Sequence, residues 1–285
     1  MSKYNHIDYL IDKEYKVLDK GFVKLVDYMG SDESIVKSAR VSYNANNKEH
    51  TQESNTNLIN YLIKHNHSSP IEMCDITFHI KAPIFIARQW MRHRTASYNE
   101  ISARYTKVED SFYTPDIARL KKQSKTNKQC SGDEEIDEES AFNFINMSDY
   151  HNEYFLKYYN IFNDKGLARE VNRINMPVSC YTEFYYKTNL KNLLHFIKLR
   201  IHPHAQFEIQ EYAKVISSII EQWCPITYQA FIEHEKEAVK FSKTQLQAIP
   251  SIIKNNFSGN AKDYNLSSRE FIEICSIFNN ENGRY

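Results

Sequence analysis

The stretch QWMRHRTASYNEISARY, at residues 89–105, concentrates side chains that bind anions. It contains three arginines and a histidine but only one acidic residue, Glu100. Two further arginines, Arg173 and Arg200, lie in segments flanked by apolar residues. Guanidinium groups suit phosphates and the carbonyl edges of planar heterocycles, because their donors form a flat fork. Converging arginines are costly without an anion, so we predict an anionic ligand. For any single arginine, the alternative is an ion pair elsewhere or exposure to water.

Serine and cysteine could act as nucleophiles, but neither has the expected surroundings. Ser102 is not part of a GxSxG turn and has no assigned base, so its hydroxyl is predicted to hold a ligand. Cys224 follows Trp223 at a predicted helix end and is predicted to be a small core residue. The six glycines form neither a GxGxxG nor a GxxxxGK(S/T) motif. A nucleotide must therefore be held largely by side chains.

The composition narrows the class of protein. The 285 residues include 36 basic and 36 acidic side chains, and this zero net charge argues against a broad nucleic-acid-binding surface. The first residues are too polar for a signal peptide, and no apolar run is long enough to span a bilayer. The five cysteines are scattered, odd in number and without the spacing of a zinc site. We therefore expect a cytoplasmic protein with reduced thiols, no bound metal and no membrane contact.

Hydrophobic periodicity predicts the elements that position these residues. In the first half it indicates a strand at 22–29, helices at 31–42 and 52–65, a strand at 74–80, a helix at 84–94 and an irregular loop at 99–105. Pro83 is expected to begin the helix at 84–94, which would place Arg88 and Arg92 on one helical face.

The second half of the chain is predicted to be mainly helical. The pattern there indicates a mobile loop or insertion at 121–140, then a helix ending near Asn163 with Gly166 as its stop and a short helix at 167–177. A strand at 178–186, a helix at 190–201 and a long helix ending near Trp223 follow. The last residues, 236–285, are predicted to form a polar, peripheral helical tail. Asn189 is expected to cap the helix at 190–201. Without a repeat or a linker, we expect one α+β domain over residues 1–285.

The segment RHRTASYNEIS, at residues 92–102, reads as the RHR-x7-S signature of the flavin-dependent thymidylate synthases. The stretch through Tyr105 also resembles that family, and the signature is long and specific. Other segments carry the resemblance from about Gly21 to His234: GFVKLVDYMG, ARVSY, HSSPIE, FHIKAPIFIARQW, NRINMP and LRIHPHAQFEIQ. Residues 121–140 and the tail after residue 235 carry little of it.

This resemblance implies a single catalytic domain whose central, mostly antiparallel sheet is flanked by helices. It implies the reductive methylation of dUMP to dTMP without a cysteine nucleophile. Methylenetetrahydrofolate would be the carbon donor, and FAD reduced by NADPH would be the hydride source. A homotetramer with active sites built from several chains is also implied.

The resemblance further assigns residues to two ligands. For dUMP it implies Gln89, Arg92, Glu100, Ile101, Ser102, Ala103, Arg104, Arg173 and Arg200. For FAD it implies Ser42, Ser69, Arg92, His93, Arg94, Glu100, Asn189, Lys191, His195 and His204. Arg200 is the predicted catalytic residue, because a guanidinium at O4 and N3 of the pyrimidine would stabilise the charge that develops there.

Two other functions stay open. The arginines could instead clamp phosphates in a nucleotide- or RNA-binding module. A yellow purified protein would favour the enzyme, whereas salt-sensitive RNA binding without flavin would favour the module. A flavin- and folate-dependent RNA methyltransferase is weakened by the missing glycine-rich dinucleotide motif.

Overall fold

The structure is a computed structural model that describes residues 5–42, 50–125, 128, 130–254, 259–264, 266, 268, 271–272 and 274–275. Its contacts divide the chain into two compact units, Met1–Phe231 and Ile232–Tyr285. The assignment of residues 1–285 to one domain stays a prediction. Tyr43 of the ARVSY segment, and parts of the segments at 121–140 and 236–285, lie outside the described residues.

The first unit is built on a five-stranded antiparallel sheet. In chain order, the strands of the whole unit are β1 (Glu14–Val17), β2 (Gly21–Met29), β3 (Asp75–Pro83), β4 (Ser97–Glu100), β5 (Lys121–Gln123), β6 (Ser131–Glu135) and β7 (Tyr181–Asn189). The five-stranded sheet has the order β1-β2-β3-β7-β4, and β5 pairs with β6 in a separate hairpin. The predicted α+β fold with a mostly antiparallel sheet is confirmed.

The α-helices of this unit are α1 (Asp32–Val41), α2 (Gln52–Lys64), α3 (Ile84–Trp90), α4 (Glu138–Asp164), α5 (Arg169–Asn172), α6 (Leu190–Arg200), α7 (Phe207–Trp223) and α8 (Pro225–Phe231). Asn189 caps α6 as predicted, because its Oδ1 accepts a hydrogen bond from the Asn192 amide at 2.9 Å. Gly166 follows α4 with a φ of 83°, a left-handed conformation that glycine adopts without strain.

The helix predicted at 84–94 ends earlier, at Trp90, so that part of the prediction is wrong. The hydroxyl of Tyr98 donates a bifurcated hydrogen bond to the carbonyl oxygens of Trp90 and His93, at 3.2 and 2.8 Å. These bonds satisfy carbonyls at and beyond the helix end, and they hold the chain in a turn that leads into β4. Arg92 therefore lies outside the helix and shares no helical face with Arg88.

Two other predicted boundaries are also wrong. Asn99 and Glu100 belong to β4 rather than to a loop, because they pair with Tyr185 and Phe184 of β7. The strand predicted at 178–186 begins at Tyr181, since the preceding residues form a turn closed by the bond from Cys180 N to Pro177 O, at 3.0 Å.

The segment predicted as a loop at 121–140 contains the β5–β6 hairpin and the start of α4. Its strands are mostly exposed and carry no apolar side chains, so apolar periodicity could not reveal them. Asp137 begins the helix, because its carboxylate accepts a hydrogen bond from Ser140 N at 2.8 Å.

Helix α7 and strand β7 form the core behind the predicted site. The side chains of α7 at Ile209, Ala213, Ile216 and Ile220 are buried. Trp90, at the end of α3, packs against the rings of Phe184, Tyr186, Phe196 and Tyr212. Cys224 is buried, as predicted for a small core residue. This packing fixes the end of α3, and the RHR segment begins two residues later.

The second unit contains α9 (Lys243–Lys254) and a small hydrophobic cluster of its own. The buried members of the cluster are Ala248, Ile252, Tyr264, Leu266 and Ile274. The predicted tail is thus helical in much of its described part, but not polar throughout. Across the described residues, no helix combines the length and apolar character needed to cross a membrane.

Candidate active site

Arg200, the last residue of α6, is the centre of a first group of predicted site residues, which we call the Arg200 cluster (Gln89, Arg92, His93 and Arg200). The Nε of Arg200 donates to Nε2 of His93 at 2.9 Å, and its Nη2 donates to the backbone oxygen of Gln89 at 3.2 Å. Both acceptors are uncharged. Burial and the nearby charge of Arg92 lower the pKa of Arg200. The positive charge of Arg200 is therefore held in place without being neutralised.

His93 is adapted to this role as a neutral acceptor. Burial lowers its pKa from the ordinary value of 6.5 to about 4, helped by the charges of Arg200 and His195. At neutral pH the imidazole is uncharged, and its Nε2 lone pair accepts the hydrogen bond from Arg200. The ring of His195, one of the predicted flavin residues, lies 6.2 Å from that of His93.

Gln89 is oriented by a residue that the sequence did not single out. Its amide nitrogen donates to the side-chain oxygen of Gln206, which precedes α7. This bond fixes which way the Gln89 amide faces, so Gln206 belongs to the structure of the site. The segment HPHAQFEIQ that contains Gln206 carried the family resemblance, and this was the available signal.

A second group of predicted residues, which we call the Glu100 cluster (Glu100, Ile101, Ala103 and Arg173), lines a cavity of about 140 Å³. The hydroxyl of Thr182 on β7 donates to Oε1 of Glu100 at 2.7 Å. Charged side chains at Lys81, Lys107, Glu109 and Glu183 also line the cavity. The cavity is therefore small, bordered by both signs of charge and lined in part by apolar side chains.

Ser102 and Arg104 continue the chain beyond β4. The Ser102 hydroxyl accepts a hydrogen bond from the Arg104 amide at 3.3 Å. The Arg104 guanidinium lies 3.8 Å from Glu170, and both side chains are more than half exposed. Such exposed ion pairs contribute little, so Arg104 is free to exchange Glu170 for a ligand. Ala103 does not adopt a positive φ.

The two clusters make no direct polar contact with each other among the described residues. Among the described residues, no hydrogen bond or ion pair links a member of the Arg200 cluster to a member of the Glu100 cluster. The structure thus divides the predicted dUMP residues into two groups.

The remaining predicted flavin residues lie near the start of α6 or on exposed turns. Asn189 and Lys191 flank the first residue of α6, and α6 packs on a short 3-10 helix at Ile71–Met73 that follows Ser69. Helix α1, which ends beside Ser42, packs on the same 3-10 helix. His204 lies apart from these, on an exposed turn, and its backbone oxygen accepts a hydrogen bond from the Cys130 thiol.

The cations of the site fit a dinucleotide with a pyrophosphate. Within the described ranges, no ion pair with an acidic side chain is formed by Arg92, Arg94, Arg173 or Arg200. Unpaired guanidinium groups suit phosphate oxygens, which they bind with two donors at once. The described residues contain no group of three or more His, Cys, Asp or Glu side chains that could hold a metal ion.

Comparison with known proteins identifies the family of the chain. Residues 24–226 match the family described as "Thymidylate synthase complementing protein" (Thy1). The chain is 45% identical over 275 residues to the "Flavin-dependent thymidylate synthase" of Wolbachia pipientis wMel, covering 96% of this chain and 95% of that protein. It is 44% identical over 268 residues to the protein of the same description from Ehrlichia ruminantium (strain Gardel), covering 94% of this chain and 89% of the relative.

A solved structure is also similar, the UMP/dUMP methylase PolB from Streptomyces cacaoi bound with 5-Br dUMP. Its TM-score is 0.71 at 35% sequence identity, and the match covers 78% of this chain and 99% of that chain. The long sequence match and the shared fold point to the same family. The chain therefore belongs to the thymidylate synthase complementing protein family, that of the flavin-dependent thymidylate synthases.

Proposed function

We propose that this protein catalyses the reductive methylation of dUMP to dTMP, with methylenetetrahydrofolate as carbon donor and NADPH-reduced FAD as hydride source. The observation that carries the proposal is the Arg200 guanidinium, held by two uncharged acceptors, His93 Nε2 and the Gln89 carbonyl oxygen. A half-buried cation fixed in this way is prepared for an electron-rich or anionic ligand.

Arg200 provides the activation that a thiolate provides in other enzymes. Carbon 5 of a pyrimidine is a weak nucleophile, and a cation beside O4 and N3 stabilises the negative charge that makes it react. Burial raises the pKa of the Cys180 thiol to about 11 and also raises that of Cys224, so neither supplies a thiolate at neutral pH. His93 keeps Arg200 oriented and carries no proton on Nε2.

Bound FAD would supply the hydride, and the residues of this chain would hold it. The unpaired guanidinium groups of Arg92 and Arg94 suit its pyrophosphate. Asn189 uses its side-chain oxygen to cap α6, which leaves its amide nitrogen to donate to a ligand. Ser42, Ser69, His93, Glu100, Lys191, His195 and His204 complete the proposed flavin set.

The proposed dUMP site combines both clusters. Gln89, Arg92 and Arg200 come from one cluster, whereas Glu100 and Arg173 come from the other. Ile101, Ser102, Ala103 and Arg104 complete the proposed dUMP set. Since no direct polar contact links the two clusters among the described residues, we propose a homotetramer in which each site takes one cluster from each of two chains.

An exposed apolar stripe on α4 supports this assembly. Tyr150, Tyr154, Tyr158 and Phe162 follow one another at intervals of four residues and are 61%, 52%, 38% and 43% exposed. Monomeric proteins rarely expose a continuous apolar patch of this kind, so a second copy of the chain is the proposed partner.

A cytoplasmic location belongs to the same proposal, since the reaction needs NADPH and reduced folate.

Tritium release from dUMP labelled at C5 tests the function. The assay is run anaerobically with FAD, NADPH and methylenetetrahydrofolate, and each component is omitted in turn. We expect release that requires both NADPH and the folate. A folded, flavin-loaded protein without release would contradict the proposed substrate, and one that binds RNA but no flavin would support the binding module instead.

Mixed assemblies test the shared site. An Arg200→Ala chain and an Arg173→Ala chain, each inactive alone, are expressed together and purified through different tags. We expect the mixture to regain activity, because some sites then receive an intact cluster from each chain. A mixture as inactive as its components would place both clusters of a site in one chain.

A further inference from the structure

Thr182 makes a contact that no proposed ligand-binding role accounts for. It lies on β7, is 6% exposed, and its hydroxyl donates to Oε1 of Glu100 at 2.7 Å. Its backbone is fixed by the pairing of β7 with Ala82 of β3. Because a β-branched side chain has few rotamers, the hydroxyl is held at one position.

The backbone of Glu100 is also fixed, but its side chain is not. Glu100 pairs with Phe184 at the end of β4, and the next residue continues the ladder through a bond from Ile101 N to Glu183 O at 2.9 Å. The Glu100 side chain is exposed and has three rotatable bonds. The bond from Thr182 is therefore its anchor.

The surroundings of Glu100 offer competing partners. Lys107 and Arg173 line the same cavity, yet neither forms an ion pair with Glu100 in the described part of the chain. A carboxylate released from Thr182 could rotate towards either cation. A pairing with Arg173 would occupy two groups of the proposed dUMP site at once.

We infer that Thr182 is a positioning residue that fixes the Glu100 carboxylate for the ligand. With Oε1 bound to Thr182, Oε2 accepts no hydrogen bond from any residue that the structure describes. An ionised carboxylate oxygen can only accept, so the ligand group that it meets is a donor, either a sugar hydroxyl or a ring N–H. This inference rests on the proposed function, which places Glu100 in the site.

The test compares Thr182→Val with Thr182→Ser. Valine keeps the β-branched shape and removes the hydroxyl, whereas serine keeps the hydroxyl. For Thr182→Val we expect kcat/KM for dUMP, measured by tritium release, to fall about 20-fold, the effect of one hydrogen bond to a charged group. Thr182→Ser should stay within about threefold of the wild-type protein.

A double-mutant cycle separates positioning from folding. In a Glu100→Ala background, Thr182→Val should cause no further loss, because the residue on which it acts is gone. A loss that multiplies with that of Glu100→Ala would overturn the inference. So would a Thr182→Val protein with normal kcat/KM.

Thr227 provides a matched control outside the site. It is buried, and its hydroxyl donates to a carboxylate oxygen of Asp32 at 2.6 Å, at the start of α8. Thr227→Val removes the same kind of bond, so it should lower the melting temperature but leave the KM for dUMP unchanged.

If Thr182→Val does not fold, Thr182→Cys replaces it, since a thiol of similar size is a weak donor and should show an intermediate loss. A wild-type protein without tritium release would refute the proposed function; the positioning role is then read from the Kd for dUMP, which Thr182→Val should raise and Thr182→Ser should leave unchanged, and an unchanged Kd in Thr182→Val would overturn it.

Discussion

Two half-buried arginines of this chain have opposite surroundings. Arg119 donates from Nε to Oε1 of Glu208 at 2.9 Å, and the Glu208 side chain is 4% exposed. Its guanidinium also lies over the ring of Phe207, 5.3 Å from the ring centre. Arg200, in contrast, donates to a neutral imidazole and a backbone carbonyl. Arg119 is neutralised by its own fold, whereas Arg200 keeps a charge for something else.

The comparison teaches how a structural arginine is distinguished from a ligand-binding one. Removing a partner from a buried ion pair leaves an uncompensated charge and destabilises the protein. An unpaired arginine already bears that cost in the free protein, and a bound anion relieves it. We therefore expect substitutions at the Arg119–Glu208 pair to change stability and substitutions at Arg200 to change activity.

The largest expected effect is that of Arg200→Ala. We predict at least a 1000-fold loss of tritium release, about 4 kcal/mol of transition-state stabilisation, together with weaker dUMP binding. Flavin content and melting temperature should largely survive, since no acidic partner is orphaned. Near-normal turnover would refute the catalytic role of Arg200.

Glu208→Ala should have the next largest effect, and it should change stability rather than activity. Because Arg119 would lose its buried partner, we predict a loss of about 3 kcal/mol in the free energy of unfolding, measured by urea denaturation. Glu208→Gln, which keeps an acceptor of the same size, serves as the control and should lose less. If Glu208→Ala instead abolished activity without destabilising the protein, the contrast between the two arginines would be wrong.

Ser102→Ala sharpens the comparison at a residue that only holds the ligand. We predict about a tenfold fall in kcat/KM for dUMP, the value of one hydrogen bond, with residual methylation. A complete loss of activity with dUMP still bound would reopen the reading of Ser102 as a nucleophile.

The smallest predicted effect is a pH dependence that comes from His93. Its folded-state pKa of about 4 is below the ordinary 6.5, so the unfolded chain binds the extra proton as the pH falls through this window. Stability is unaffected above pH 6.5 and falls below it, by about 1 kcal/mol at pH 5.5. His93→Gln, which accepts a hydrogen bond but does not titrate there, should show a smaller fall between pH 7.5 and 5.5. Identical profiles would contradict the assignment.

Local patterns predicted most of the elements but not their ends. The periodicity at 84–94 continued through apolar and long basic side chains, so it gave no sign that α3 ends at Trp90. That end depends on the Tyr98 hydroxyl, which reaches back from β4 to the carbonyls of Trp90 and His93. The hairpin at 121–140 was missed for a different reason: its exposed strands lack an apolar face.

The sequence by itself determined the α+β class, the capped helix α6 and the list of side chains able to bind an anion, because these follow from local periodicity and residue chemistry. Only the tertiary structure decided how that list is divided. It brought Arg200 to His93 and Gln89, placed Glu100 against Thr182, and gave Arg119 a buried carboxylate. These contacts join residues about 80 to 110 positions apart, and the pairing of such distant groups is set by strand order and core packing rather than by any local pattern.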